Sequence, residues 1–133
     1  MSDVSYTLQL PEARLESIER DADTITLRFS RVQLVQEMEN AFEDSLWTQA
    51  VNLTIGDYSL DGELPACPCE ISGGDITNNI YTYRDHAPLP INWRGEVRCA
   101  LKVAGSDAVF SISGNTMQLE QLETPRYIRH IKK

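Results

Sequence analysis

The chain has no apolar run approaching the ~20 residues that a helix needs to cross a bilayer. Cysteine is scarce, with only Cys67, Cys69 and Cys99 present. An odd count gives no disulfide framework. With no basic leader and apolar run behind Met1, it implies reduced thiols, a native start and a cytoplasmic protein. Histidine is scarcer still, with His86 and His130 alone, which limits acid–base and metal chemistry. There is no Gly-x-Ser-x-Gly elbow, no phosphate loop with its lysine, and no twelve-residue calcium loop ending in glutamate. Ser72-Gly73-Gly74-Asp75 has glycines without the spacing of a phosphate cradle, and it reads as a turn into the next strand. The acidic sets Glu19/Asp21/Asp23 and Asp57/Asp61/Glu63 read as solvated turns.

Basic charge is the other shortage. The formal net charge is −8, and it is uneven. Residues 1–75 hold four basic and fifteen acidic groups, a balance of −11. Residues 76–133 hold eight basic and five acidic groups, a balance of +3. Such a surface repels phosphate backbones and anionic lipid, which argues against nucleic-acid and membrane partners. It favours a basic partner or serves solubility alone.

What the chain does have is length for one domain, residues 1–133, and enough apolar residues for a real core (41%). Period-two alternation of apolar and polar residues dominates the sequence. It runs through Val4–Leu10, Thr24–Ser30, Val51–Ile55, Val97–Val103, Ala108–Ser113 and Met117–Leu119. Between Arg94 and Leu122 it predicts three consecutive antiparallel strands. Their turns fall at Gly105-Ser106-Asp107 and Gly114-Asn115. Asp75–Tyr83 reads as a further strand, with a bulge or turn at Asn78-Asn79.

Two segments carry helical spacing. Met38, Ala41, Phe42 and Leu46 predict a short amphipathic helix within 36–46. Pro11–Arg20 fits a helix and a strand equally well. Two stretches rich in proline or glycine, 64–75 and 84–95, read as irregular loops rather than central strands. The expected fold is therefore mainly β, an antiparallel β-sandwich or partly open barrel with one or two short helices.

Few residues suggest chemistry. Cys67-Pro68-Cys69 places two thiols within reach of one soft metal. The spacing is tighter than usual zinc sites and further ligands are missing, so Cys67 and Cys69 are only weak metal candidates. Cys99 falls on the apolar side of its strand, as a core residue. Asp85-His86 resembles half of a general-base pair, but adjacent residues seldom orient each other that way and no nucleophile accompanies them. A non-enzyme without a cofactor is the expectation. Trp93, Tyr81, Tyr83 and His86 are the candidate binding residues, along the rim of the proline loop. The basic, amphipathic end Pro125–Lys133 is expected to fold back on the acidic half, pair with another subunit or fray.

The expected function is thus a cytosolic protein-interaction or self-assembling module. One version is an inhibitor or immunity-type protein that caps a basic partner. A barrel holding a small molecule is the alternative, and a metal or thiol protein built on Cys67 and Cys69 is the third.

Overall fold

The computed structural model describes residues 4–38 and 43–132. Among the described residues there are ten strands and no helix. They are β1 (Val4–Arg20), β2 (Thr24–Met38), β3 (Glu43–Gly56), β4 (Ser59–Asp61), β5 (Cys69–Asn78), β6 (Tyr81–Arg84), β7 (His86–Pro88), β8 (Asn92–Val103), β9 (Val109–Gln121) and β10 (Arg126–Lys132).

Six of them close an antiparallel barrel in the order β1–β2–β3–β9–β8–β5 and back to β1. Of the two expected architectures the barrel is the one found, and its ring is closed. Closure leaves no free edge around the ring. The inward residues of each alternating strand fill it, among them Leu15, Leu27, Leu53, Ile76, Leu101 and Phe110, all buried. Val97, Cys99 and Ile112 join them, as the alternation predicts. Each such side chain contributes roughly 1.5–3 kcal/mol through burial, so the filled ring is the main source of stability.

The first three strands are too long for the barrel and run on beyond it. β1 changes neighbour along its length, pairing β7 at Thr7–Gln9 and β5 at Ala13–Leu15. Register shifts and a positive φ at Glu12 (66°) mark the bend between these stretches. β3 likewise pairs β10 at Glu43–Thr48 and β9 at Val51–Gly56. The outer halves of β1, β2 and β3, flanked by β7 and β10, form an open sheet above the barrel. Residues Leu89–Ile91 cross the barrel end beneath it. Leu89 donates its amide to Tyr6 on β1, and Ile91 accepts from Leu119 on β9.

One open alternative is decided, and several expectations are corrected. Pro11–Arg20 is strand, because Ala13 and Leu15 point into the barrel while Arg14 and Glu16 face out. The 36–46 helix is not found. Gln36–Met38 belongs to β2 and Glu43–Leu46 to β3, while 39–42 lie outside the described residues. Gly114-Asn115 is no turn, since β9 passes straight through it. Glycine is required there because a Cβ would strike the Gly56 carbonyl and Ile55 of β3. Ser72–Asp75 is not a turn either. It lies inside β5, a barrel strand, with a bulge between Ile71 and Gly73. The expected loop 84–95 also contains β7 and the start of β8.

Candidate docking surface

β5 and β6 form a hairpin whose two-residue tip is Asn79-Ile80. Asn79 holds a left-handed backbone (φ 56°), which asparagine tolerates better than most residues. Its amide donates to the Glu96 carbonyl at 2.6 Å, and its side-chain Oδ1 accepts from the Glu96 amide at 3.1 Å. Glu96 sits in a bulge of β8, between Arg94 and Val97. Gly95 beside it has φ 112°, and a Cβ there would lie 2.5 Å from Asn79 Oδ1. The hairpin tip is thereby clamped to the barrel wall.

That clamp presents an apolar end to water. Ile80 is fully exposed (102%) and Tyr81 is 61% exposed. An aromatic strip then leads inward from the tip. Tyr81 and Tyr83 have ring centroids 4.5 Å apart with planes inclined at 49°. Tyr83 and Trp93 are stacked at 6.1 Å and 25°. Trp93 is registered opposite the buried Met117 of β9, and both Trp93 and Tyr83 pack against the core. The strip is therefore anchored at one end and free at the other.

His86 lies beside it. β7 aligns His86 with Gln9 and Pro88 with Thr7. These four residues, with Tyr83 and Glu37, line an open groove of about 450 Å³. The structure thus joins Trp93, Tyr83 and Tyr81 in one contact chain and places His86 in a groove that shares Tyr83. Ile80, Glu37, Thr7 and Gln9 escaped the sequence reading. Ile80 had one signal, an isoleucine directly after an asparagine suited to a tight turn. Glu37 had none, because its neighbours in the groove come from distant strands.

Asp85 does not orient His86. Its Oδ1 accepts from the Gly74 amide at 3.0 Å, and its own amide and carbonyl bond Gly74 and Leu10. It ties β5 to β1 where β6 and β7 branch away. Cys67 and Cys69 are half-buried neighbours. Burial pushes both thiols up, Cys69 to about 11, and buried Cys99 to about 12. Among the described residues no group of three or more His, Cys, Asp or Glu side chains is placed to hold a metal.

The basic end does fold back on the acidic half, as β10 along β3. Tyr127 meets Trp47 edge-on at 5.4 Å and shares a 2.6 Å hydrogen bond with His130 Nδ1. Trp47 Nε1 donates to Ser45 Oγ, Ser45 to Gln36 Oε1, and Gln36 Nε2 to Tyr6, all at 2.9–3.0 Å. This polar chain crosses the open sheet from β3 to β1. Among the described residues no helix is long and apolar enough to cross a membrane.

The fold and site define an all-β barrel with a hydrogen-bonded, apolar-tipped surface projection. Comparison with protein-family models, with curated proteins and with solved structures gave no match.

Proposed function

We propose that this chain is a non-catalytic, cytosolic protein-interaction module that docks a basic protein through Ile80, Tyr81, Tyr83 and Trp93. One observation carries the proposal: a fully exposed isoleucine held at the end of a clamped aromatic strip. Ordering such a tip before binding lowers the entropy that docking must overcome. Aromatic anchors of this kind are the usual centres of interface energy. The acidic charge would steer a basic partner and raise its on-rate. An inhibitor-type role against a basic protein fits the same features.

The barrel interior supports this choice over a ligand-binding barrel. A single cluster of buried side chains fills it, and the four depressions described are open grooves on the outside. Self-assembly through β10 is also disfavoured. Its outer edge carries Arg126 and Arg129 and a bulge at Ile128, features that hinder strand-to-strand pairing.

The test is site-directed photocrosslinking in native cytosol, with a photoreactive amino acid at Ile80, at Tyr81 and, as a control, at exposed Ser106. The expected result is one discrete adduct from positions 80 and 81, absent at 106 and weaker at high salt. Equal adducts from all three sites, or none from any, overturn the proposal. An adduct of twice the chain mass would make the partner a second, equally acidic copy and overturn the basic-partner proposal.

A further inference from the structure

The groove beside the strip has a chemistry of its own. No lysine or arginine lines it. Glu37 supplies a carboxylate, Tyr83 an aromatic ring, His86 an imidazole, Gln9 and Thr7 oxygen acceptors, and Pro88 an apolar surface. Elsewhere five carboxylates have cations: Glu16 with Arg14, Glu19 with Arg28, Glu70 with Arg31, Asp75 with Arg84, and Glu123 with Arg126. Among the described residues Glu37 has no cation within ion-pair distance.

From these groups we infer that the groove is a subsite for an arginine side chain in an extended segment of the docking partner. A guanidinium is planar and carries five donors. It pairs a carboxylate through its planar fork and uses its remaining donors on amide and hydroxyl oxygens. Its aliphatic stem packs on proline. An ammonium ion matches the charge but cannot fork in this way. The groove's volume of about 450 Å³ exceeds one side chain, which leaves room for flanking backbone. Tyr83 belongs to both surfaces, so the arginine would enter next to the residues that seat against Tyr81 and Ile80. The inference rests on the proposed interaction role, but its test needs no partner.

The probe is the peptide acetyl-Gly-Arg-Gly-amide, compared with its citrulline analogue, which keeps the shape and loses the charge. Both are titrated into 15N-labelled protein. The arginine peptide should shift the amides of Thr7, Gln9 and His86, with the citrulline peptide about tenfold weaker. Glu37→Gln should weaken the arginine peptide by a similar factor while leaving the rest of the spectrum unchanged. Ile80→Ser should leave peptide binding intact, which separates this subsite from the tip. A peptide containing lysine that binds as well as arginine would overturn the guanidinium assignment. Equal binding of the citrulline peptide, no effect of Glu37→Gln, or shifts outside the groove would overturn the subsite. If the peptide binds while the crosslinks at 80 and 81 fail, the groove stands and the tip proposal falls. The reverse pattern leaves the tip and removes the groove.

Discussion

Asn79 and Glu96 are bonded twice, backbone amide to carbonyl and backbone amide to side-chain oxygen. The pair ties a hairpin tip to a bulge in the neighbouring barrel strand. Two variants separate its contributions. Asn79→Gly keeps the left-handed backbone accessible and loses only the side-chain acceptor, at a cost of about 1 kcal/mol. Asn79→Ala loses the acceptor and also strains the backbone, so it should cost about 2 kcal/mol. Urea unfolding measures both. If Asn79→Ala is no worse than Asn79→Gly, the left-handed backbone contributes nothing at this site.

The aromatic strip should divide into an anchor and a free end. Ile80→Ser removes a side chain that touches almost nothing, so stability should change by less than about 0.5 kcal/mol. Trp93→Ala removes a half-buried ring packed on the core and should cost about 2 kcal/mol, roughly half the loss for a fully buried aromatic. Thermal or urea unfolding of the two variants checks the contrast. A large loss for Ile80→Ser would mean that the tip is covered by other parts of the chain, and the docking proposal would lose its basis.

Alkaline pH should destabilise the fold through Cys99. Burial raises this thiol from 9.0 to about 12, so the folded state keeps it protonated. The unfolded chain ionises first. The contribution is therefore complete below pH 9 and is lost progressively as pH climbs from about 9 towards 12. Cys99→Ala should be about 1 kcal/mol less stable at neutral pH, as a small core truncation. Its stability should nevertheless fall less steeply with rising pH than that of the natural chain. Parallel slopes for the two proteins would refute the assignment. In the folded protein at pH 8, Cys99 should also resist alkylation, because thiolate is the reactive species.

These same residues show what the sequence could reveal. Cys99 was legible as core because its neighbours Val97 and Leu101 share its side of the strand, while Arg98 and Lys102 mark the other side as polar. The barrel strands around Ile25, Leu53 and Ile112 follow from the same period. Two kinds of information were hidden. Glycines at 73, 74 and 114 look like turn signals, yet they stand inside strands. At Gly74 and Gly114 a Cβ would meet the backbone of a neighbouring strand, a contact made only by the tertiary fold. The helical spacing at Met38–Leu46 is the second case. Part of it belongs to strands whose pairing overrides local periodicity. At the candidate site, the aromatic residues were legible as a local cluster. The groove was not, because Glu37 joins Tyr83 and His86 only when β1, β2, β6 and β7 assemble.

The last strand offers a sharper test of how the open sheet is held. β10 covers the outer half of β3, with Tyr127 against Trp47 and Lys132 in register with Glu43. Truncation after Pro125 should therefore bare a long β3 edge and uncover the Trp47 ring. The truncated protein should lose about 1–2 kcal/mol from the missing aromatic pair and strand packing. Trp47 emission should shift to the red when measured in a Trp93→Phe background. Tyr127→Ala should give about 1 kcal/mol of that loss and leave the edge covered. The two variants should then differ in solubility. A bare strand edge invites pairing with other chains, whereas β10 masks it with arginines and a bulge. Concentration-dependent aggregation in the truncated protein, absent in Tyr127→Ala, is the expected pattern. If both stay monomeric with unchanged Trp47 emission, β10 is not packed on β3 in solution.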